Sequence, residues 1–289
     1  VKTHPAVWLV LAATAAWIGL RLFENAMIFV PSRNLTAHPG SYGMAFERLW
    51  LTTDDGARLR AWWIPARKPG APVMLCLHGN AGNLSNRVEK MKIFHDLGAA
   101  QLWIDWRGYG ESSGHPSEAG LYRDARAAYK RLVTAEAVPP SRVVIYGESV
   151  GCGPAVDLAA RAPAAGLILD SGFASIPEMA KTVMPWMPAF LIRTRFDNLG
   201  KLPGVGMPIL FLHSRQDDVV PFDQARQNFK AAPPPKTFVE LKGSHNDGFL
   251  DSQPGYGEAI SYFLRQTVPT PKETMSKPAG HEPLERSTP

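Results

Sequence analysis

Residues 143–153 read V-V-I-Y-G-E-S-V-G-C-G, and this stretch decides the fold. Val143, Val144 and Ile145 have the composition of a buried parallel strand, and residues 154–160 read as a helix. Gly147-Glu148-Ser149-Val150-Gly151 is therefore the turn between them. Small residues on both sides let the chain bend sharply and leave the Ser149 hydroxyl exposed above the sheet, the arrangement of a nucleophile elbow. The G-x-S-x-G pentapeptide is common by itself; between a strand and a helix it is specific. The helix also directs its N-terminus and the Val150 amide to the same place, where a developing oxyanion would meet a donor.

Outward from this turn the same rhythm repeats. Upstream, residues 73–77 form a buried strand running into H-G-N-A-G-N at 78–83, residues 84–97 read as a helix, 101–106 as a strand and 117–134 as a helix. Downstream, strands at 167–170, 209–213 and 237–241 alternate with helices near 223–230 and 257–266. An antiparallel pair, 46–53 and 57–64, precedes them through Asp54-Asp55-Gly56, a turn in which glycine takes positive φ at no steric cost. This pattern predicts a mostly parallel α/β sheet of about eight strands with helices on both faces. The expected catalytic domain covers residues 46–266, with a short lid at about 173–200 and a linker at 31–45. After residue 267 proline and charge dominate, and 267–289 is expected to be a disordered tail.

At the other end, residues 7–20 are continuously apolar, and counting through Leu22 and Phe23 brings the run to the lower limit for crossing a bilayer. Residues 1–30 are expected to anchor the protein in a membrane. A cleaved secretory signal, releasing a periplasmic or secreted enzyme, and a surface-lying helix are the alternatives. Ala13-Thr14-Ala15 has the form of a cleavage site but would cut the apolar run too early, and Trp8 and Trp17 suit an interfacial anchor.

The chain has 289 residues, 45% apolar and 20% charged, ordinary values for one large globular domain with appendages. Its formal charge of +5 comes from scattered basic residues, with no stripe to follow a phosphate backbone, so no nucleic-acid partner is expected. The two cysteines, Cys76 and Cys152, read as buried thiols, and the histidines and cysteines lack metal-ligand spacing. No metal and no cofactor is expected.

A serine hydroxyl needs a base within reach and an acid that orients the base. Of eight histidines, four lie in terminal segments or within a helix. His78 shapes the turn after its strand, and His213 ends a strand whose next loop carries carboxylates. His245, in G-S-H-N-D immediately after the last strand, is the expected base, and the chain order serine, acid, histidine fits this class of site. For the acid, Asp217 in the loop after residue 213 is favoured by placement, with its neighbour Asp218 and Asp170, at the end of the preceding strand, as the alternatives. Glu148 would point away from the cleft. The second oxyanion donor is expected from the backbone amide of Asn80, where the preceding glycine permits close approach. The loop D-W-R-G-Y-G-E-S at 105–112 reads as a packed structure held by its Asp and Arg.

Together, L-H-G-N-A-G-N, D-W-R-G-Y-G-E-S-S-G, G-E-S-V-G and G-S-H-N-D resemble the α/β-hydrolase superfamily across residues 46–266. They look most like its small, membrane-associated, serine-aminopeptidase-like members, whose relatives include protein depalmitoylases. The resemblance implies Ser149 as nucleophile, Asp217 as acid and His245 as base, with the Val150 and Asn80 amides stabilising the oxyanion. Its usual acid loop selects Asp217 over Asp218. Ser244 and Gly172 depart from it, standing where glycine and proline are common. The expected activity is hydrolysis of a carboxylic ester or thioester with an apolar acyl group, on a small acyl ester or acylated substrate presented near a membrane. Peptide or amide hydrolysis and a non-catalytic, membrane-tethered binding role are the alternatives.

Overall fold

The computed structural model describes residues 4–269. An N-terminal helix, α1 (Pro5–Ile28), leads into an eight-stranded sheet built from β1 (Glu47–Thr52), β2 (Arg58–Ile64), β3 (Val73–Leu77), β4 (Ala100–Ile104), β5 (Val143–Glu148), β6 (Gly166–Asp170), β7 (Ile209–Ser214) and β8 (Lys236–Leu241). The spatial order is β1-β2-β4-β3-β5-β6-β7-β8. β2 runs antiparallel to both β1 and β4, and every other pairing is parallel. All eight strands fall where the sequence places them, within one or two residues at each end. The two open ends of the order leave β5 near the middle, so the elbow is carried by a strand hydrogen-bonded on both sides.

Between the strands run α2 (Val88–Asp96), α3 (Glu118–Thr134), α4 (Cys152–Ala159), α5 (Ile176–Val183), α6 (Asn198–Lys201), α7 (Phe222–Ala231), α8 (Gly248–Asp251) and α9 (Gly255–Thr267). β3, β4 and β6 are buried along their whole length. Alternate residues feed two cores. Leu75, Leu77, Val143 and Ile145 pack with α3 and α4, while Met74, Cys76, Val144 and Tyr146 pack with α2 and α9. A fully buried aliphatic side chain contributes about 1.5–3 kcal/mol, so parallel strands covered on both faces carry much of the stability. Cys76 and Cys152 are buried free thiols.

Two regions differ from the sequence reading. Residues 84–97 begin as a tight 3₁₀ turn, Leu84–Arg87, capped by Asn83, before α2 proper. The N-terminal helix runs beyond the apolar run counted to Phe23 and ends at Ile28, joining that run to a second apolar stretch at 26–30. The polar residues that separate them are all engaged. Arg21 pairs with Glu24 at 2.6 Å and donates to the Leu191 carbonyl, Glu24 accepts the Arg193 and Thr194 amides at 3.0 and 2.6 Å, and Asn25 reaches Pro116. The helix ends three residues before Pro31, whose ring disfavours helical backbone in the residue ahead of it.

Residues 30–36 then cross the loops above the sheet. Ser32 and Gly82 pair through their backbones, the Asn83 side chain donates to Ser32 and Asn34, and Arg33 donates to Gly110 and Ser112. At the C-terminus α9 includes Thr267, and Val268 is buried. The rest of the tail expected at 267–289 lies outside the described residues from position 270 onward.

Candidate active site

β5 ends at Glu148, and Ser149 takes φ of +50°, a left-handed conformation that is strained for any residue with a Cβ. The flanking glycines make this turn fit. A Cβ on Gly151 would lie 2.1 Å from the Leu77 carbonyl oxygen, and one on Gly147 would lie 2.7 Å from the Ala155 Cβ. Both positions are backbone crossings rather than flexible contacts, so glycine is required there. On the other side, Gly79 lets the turn after β3 pass Ser149 closely, since a Cβ there would be 3.3 Å from that of the serine.

The loop after β8 brings His245 to the same point. Its Nε2 lies 3.0 Å from the Ser149 Oγ, and its Nδ1 lies 2.8 Å from an Asp217 carboxylate oxygen. The other Asp217 oxygen accepts the Val219 and Val220 amides at 3.0 and 2.7 Å, which holds the carboxylate plane. Asp218 accepts the His245 main-chain amide at 3.0 Å and so positions the histidine loop. His213 packs beneath, 3.4 Å from Asp217 and hydrogen-bonded to the Val220 carbonyl at 3.0 Å. Burial opposes charge on His245, but the Asp217 hydrogen bond and negative charge prevail and hold the imidazole above its usual value. Burial likewise opposes the Asp217 charge; the His245 hydrogen bond and charge and the two loop amides keep it below the usual carboxylate range. Buried His213, by contrast, is pushed down by desolvation.

Asp170, the third position considered for the acid, is used elsewhere. It accepts Lys90 at 3.0 Å, the Tyr146 hydroxyl at 2.6 Å and the Tyr256 hydroxyl at 2.8 Å. Lys90 also pairs with Glu148 at 3.1 Å, and Arg87 meets the same carboxylate at 3.1 Å. Glu148 borders the cavity at the end of β5, and its carboxylate is held by the two cations, the structural use expected of an acid kept close to the sheet. Burial opposes its charge, and Lys90 and Arg87 overcome that penalty and hold it well below the usual range. The sequence carried one unread signal for Lys90. It sits four residues before Phe94, on the buried side of an amphipathic helix, where an unpaired ammonium would be costly.

The 105–112 loop is packed as expected. Arg107 bonds Asp124 and Asp55, and the Asp105 carboxylate accepts the Leu84 amide at 2.9 Å. His78 lies in the turn after β3, its Nδ1 2.7 Å from the Gly79 carbonyl. Asn80 has a second use, because its side-chain oxygen accepts the Val30 amide at 2.9 Å and the Tyr109 hydroxyl at 3.1 Å. That contact ties the exit of α1 to the turn beside Ser149. At Ser244, the hydroxyl donates to Asp247 at 2.8 Å; at Gly172, a Cβ would meet the Cys152 sulfur at 2.9 Å.

Above Ser149 opens a cavity of about 710 Å³. Ser149, His245, Val150 and Asn80 line its floor, and apolar residues from 173–200, among them Ile176, Met179 and Met184, line its roof. Met27 and Ile28, the end of α1, complete one wall, which the sequence reading missed. Such a volume suits a small organic ligand or part of an acyl chain.

Residues 72–202 match the family described as alpha/beta hydrolase fold. The chain belongs to the α/β-hydrolase superfamily. Within it, the chain is similar over most of its length to three proteins: the alpha/beta hydrolase domain-containing protein WAV2 of Arabidopsis thaliana, protein bem46 of Schizosaccharomyces pombe and the uncharacterized membrane protein YNL320W of Saccharomyces cerevisiae. WAV2 is 30% identical, with 86% of this chain and 89% of that protein covered. For bem46 the values are 31%, 81% and 82%, and for the budding-yeast protein 32%, 89% and 94%. Among solved structures, an esterase from Pyrococcus furiosus superposes with a TM-score of 0.70 at 16% identity, covering 84% of this chain and 98% of that one. At that identity the likeness speaks for the fold alone.

Proposed function

We propose that this protein is a membrane-anchored serine hydrolase that cleaves a carboxylic ester or thioester through an acyl-enzyme intermediate. Ser149 is the nucleophile, His245 the general base and then acid, and Asp217 the acid that orients it. The observation that carries this reading is the His245 ring, placed 3.0 Å from Ser149 Oγ and 2.8 Å from Asp217. With the Nδ1 proton donated to Asp217, Nε2 presents a lone pair to the serine hydroxyl. As Oγ attacks the substrate carbonyl carbon, its proton passes to Nε2 and the carbonyl electron pair moves to oxygen, facing the Val150 and Asn80 amides. Collapse of that intermediate expels the alcohol or thiol, which takes the proton from His245. Water then repeats the sequence on the acyl-enzyme and releases the acid.

An apolar acyl group is favoured by the Ile and Met lining of the roof. An amine-binding role, as an aminopeptidase needs, is disfavoured because Glu148 is the one carboxylate among the described lining residues, and Lys90 and Arg87 already occupy it. The anchor reading draws on α1, of which residues Ala6–Ile28 are by length and composition long and apolar enough to cross a membrane.

The test is labelling by a small fluorophosphonate together with turnover of short nitrophenyl esters, thioesters and matched amino-acid amides. Ser149→Ala should lose labelling and at least about 10³-fold in turnover while unfolding at an unchanged temperature. An unmodified chain that neither labels nor turns over any of these substrates is not an acyl hydrolase. Faster amide than ester cleavage would move the reading to a peptidase.

A further inference from the structure

The catalytic cavity does not end at its roof. A narrower apolar crevice, of about 40 Å³, lies between α1 and the segment 176–192, and Met27, Ile28, Ile176, Ala180 and Met184 border both spaces. Beyond them the crevice is walled by Leu20 and Phe23 of α1 on one side and by Met187 and Leu191 on the other. Its one charged neighbour, Glu24, is turned to Arg21 and to the Arg193 and Thr194 amides. The crevice thus adjoins the cavity above Ser149 and extends along α1 toward the exposed apolar part of that helix. Trp186 and Phe190, 69% and 81% exposed, stand at the edge of the same segment. Exposed apolar surface of this extent marks a contact with lipid or another apolar partner.

The two sides are fastened together. Glu24 of α1 and Glu118 of α3 clamp the amides of residues 193–196 from either side, and Phe29 meets the Phe196 ring edge-on at 6.2 Å. The helix is therefore a built part of the roof and not a tether that happens to pass it.

We propose that α1, besides anchoring the protein, forms one wall of an acyl-binding channel. The acyl chain of a bilayer-resident ester or thioester lies between α1 and residues 176–192, its carbonyl at Ser149 and its tail directed toward the membrane. A crevice of about 40 Å³ holds little more than one water molecule, so the channel opens by side-chain rotation. Met27, Met184 and Met187, each with three rotatable bonds and a polarizable sulfur, suit that movement. This inference rests on the acyl-hydrolase reading of Ser149.

The experiment uses the full chain in detergent micelles and compares kcat/KM for nitrophenyl dodecanoate with that for nitrophenyl acetate. Leu20→Trp and Met187→Trp each fill the crevice from an opposite wall, outside the catalytic cavity. Each should lower the dodecanoate-to-acetate ratio by about tenfold or more, because several methylene contacts are lost at once. In parallel, a long-chain alkyl fluorophosphonate carrying a terminal photoreactive group should attach to Ser149 and, on illumination, crosslink to residues 20–27, a readout that needs no variant to fold. Turnover by the unmodified chain with ratios unchanged in both variants, or crosslinks confined to other segments, overturns the channel alone. Absence of turnover and of labelling in the unmodified chain overturns the hydrolase reading and the channel with it.

Discussion

Asp217 and Asp218 carry the same carboxylate one residue apart, yet only Asp217 reaches the His245 ring, while Asp218 receives that residue's main-chain amide. The difference makes the two positions separable. Asp217→Asn leaves an amide that no longer stabilises the imidazolium and can hold the ring in the wrong tautomer; the expected loss in kcat/KM is about 10⁴-fold. Asp218→Asn keeps an oxygen able to accept the His245 amide and should lose less than about tenfold. Equal losses in the two variants would overturn the choice of acid. With His245 as the proposed base, the same residue sets the expected pH dependence. The base works only when neutral, and Asp217 holds its value above the ordinary 6.5 despite burial. Log kcat/KM is therefore expected to rise with pH as His245 loses its proton and to level off above an apparent value higher than 6.5. A half-point at or below 6.5 would contradict the Asp217 pairing.

Elements meet around Lys90. One ammonium on α2 joins Glu148 at the end of β5 to Asp170 at the end of β6, and the rings of Tyr146, Phe249 and Tyr256 surround it. Burial opposes its charge, and the two carboxylates more than offset that penalty, so it stays protonated above its usual value. Removing one partner of such a group strands the others. Lys90→Met is expected to cost about 3–5 kcal/mol, read as a lower urea midpoint at an unchanged slope. A cost under about 1 kcal/mol would mean that the carboxylates find other partners or protonate at no expense. The elbow shows the complementary case, in which local sequence is sufficient: glycines at 147 and 151 are demanded by backbone crossings on β3 and α4, and a pentapeptide reports them directly.

At the scale of the whole molecule, α1 is held to the body by Arg21, Glu24, Asn25 and Phe29 while Trp8, Leu9, Val10 and Leu11 are exposed. If the helix anchors the protein, the intact chain should remain with membranes through an alkaline carbonate wash and keep residues 1–30 on N-terminal sequencing. Release into the soluble fraction, or a new N-terminus near Ala15, would assign the segment to a cleaved signal instead. The sequence by itself determined the eight strands, the βα alternation, the turn at Ser149 and the histidine after the last strand, because buried strands, sharp turns and helix caps are written in neighbouring residues. Only the tertiary structure decided that Asp218 takes the His245 main-chain amide, that Asp170 is spent on a lysine 80 positions away, that Lys90 and Arg87 hold Glu148, and that α1 runs on to close the cavity wall. Those outcomes depend on which distant side chains satisfy one another's charges and hydrogen bonds, and that pairing exists only once the chain has folded.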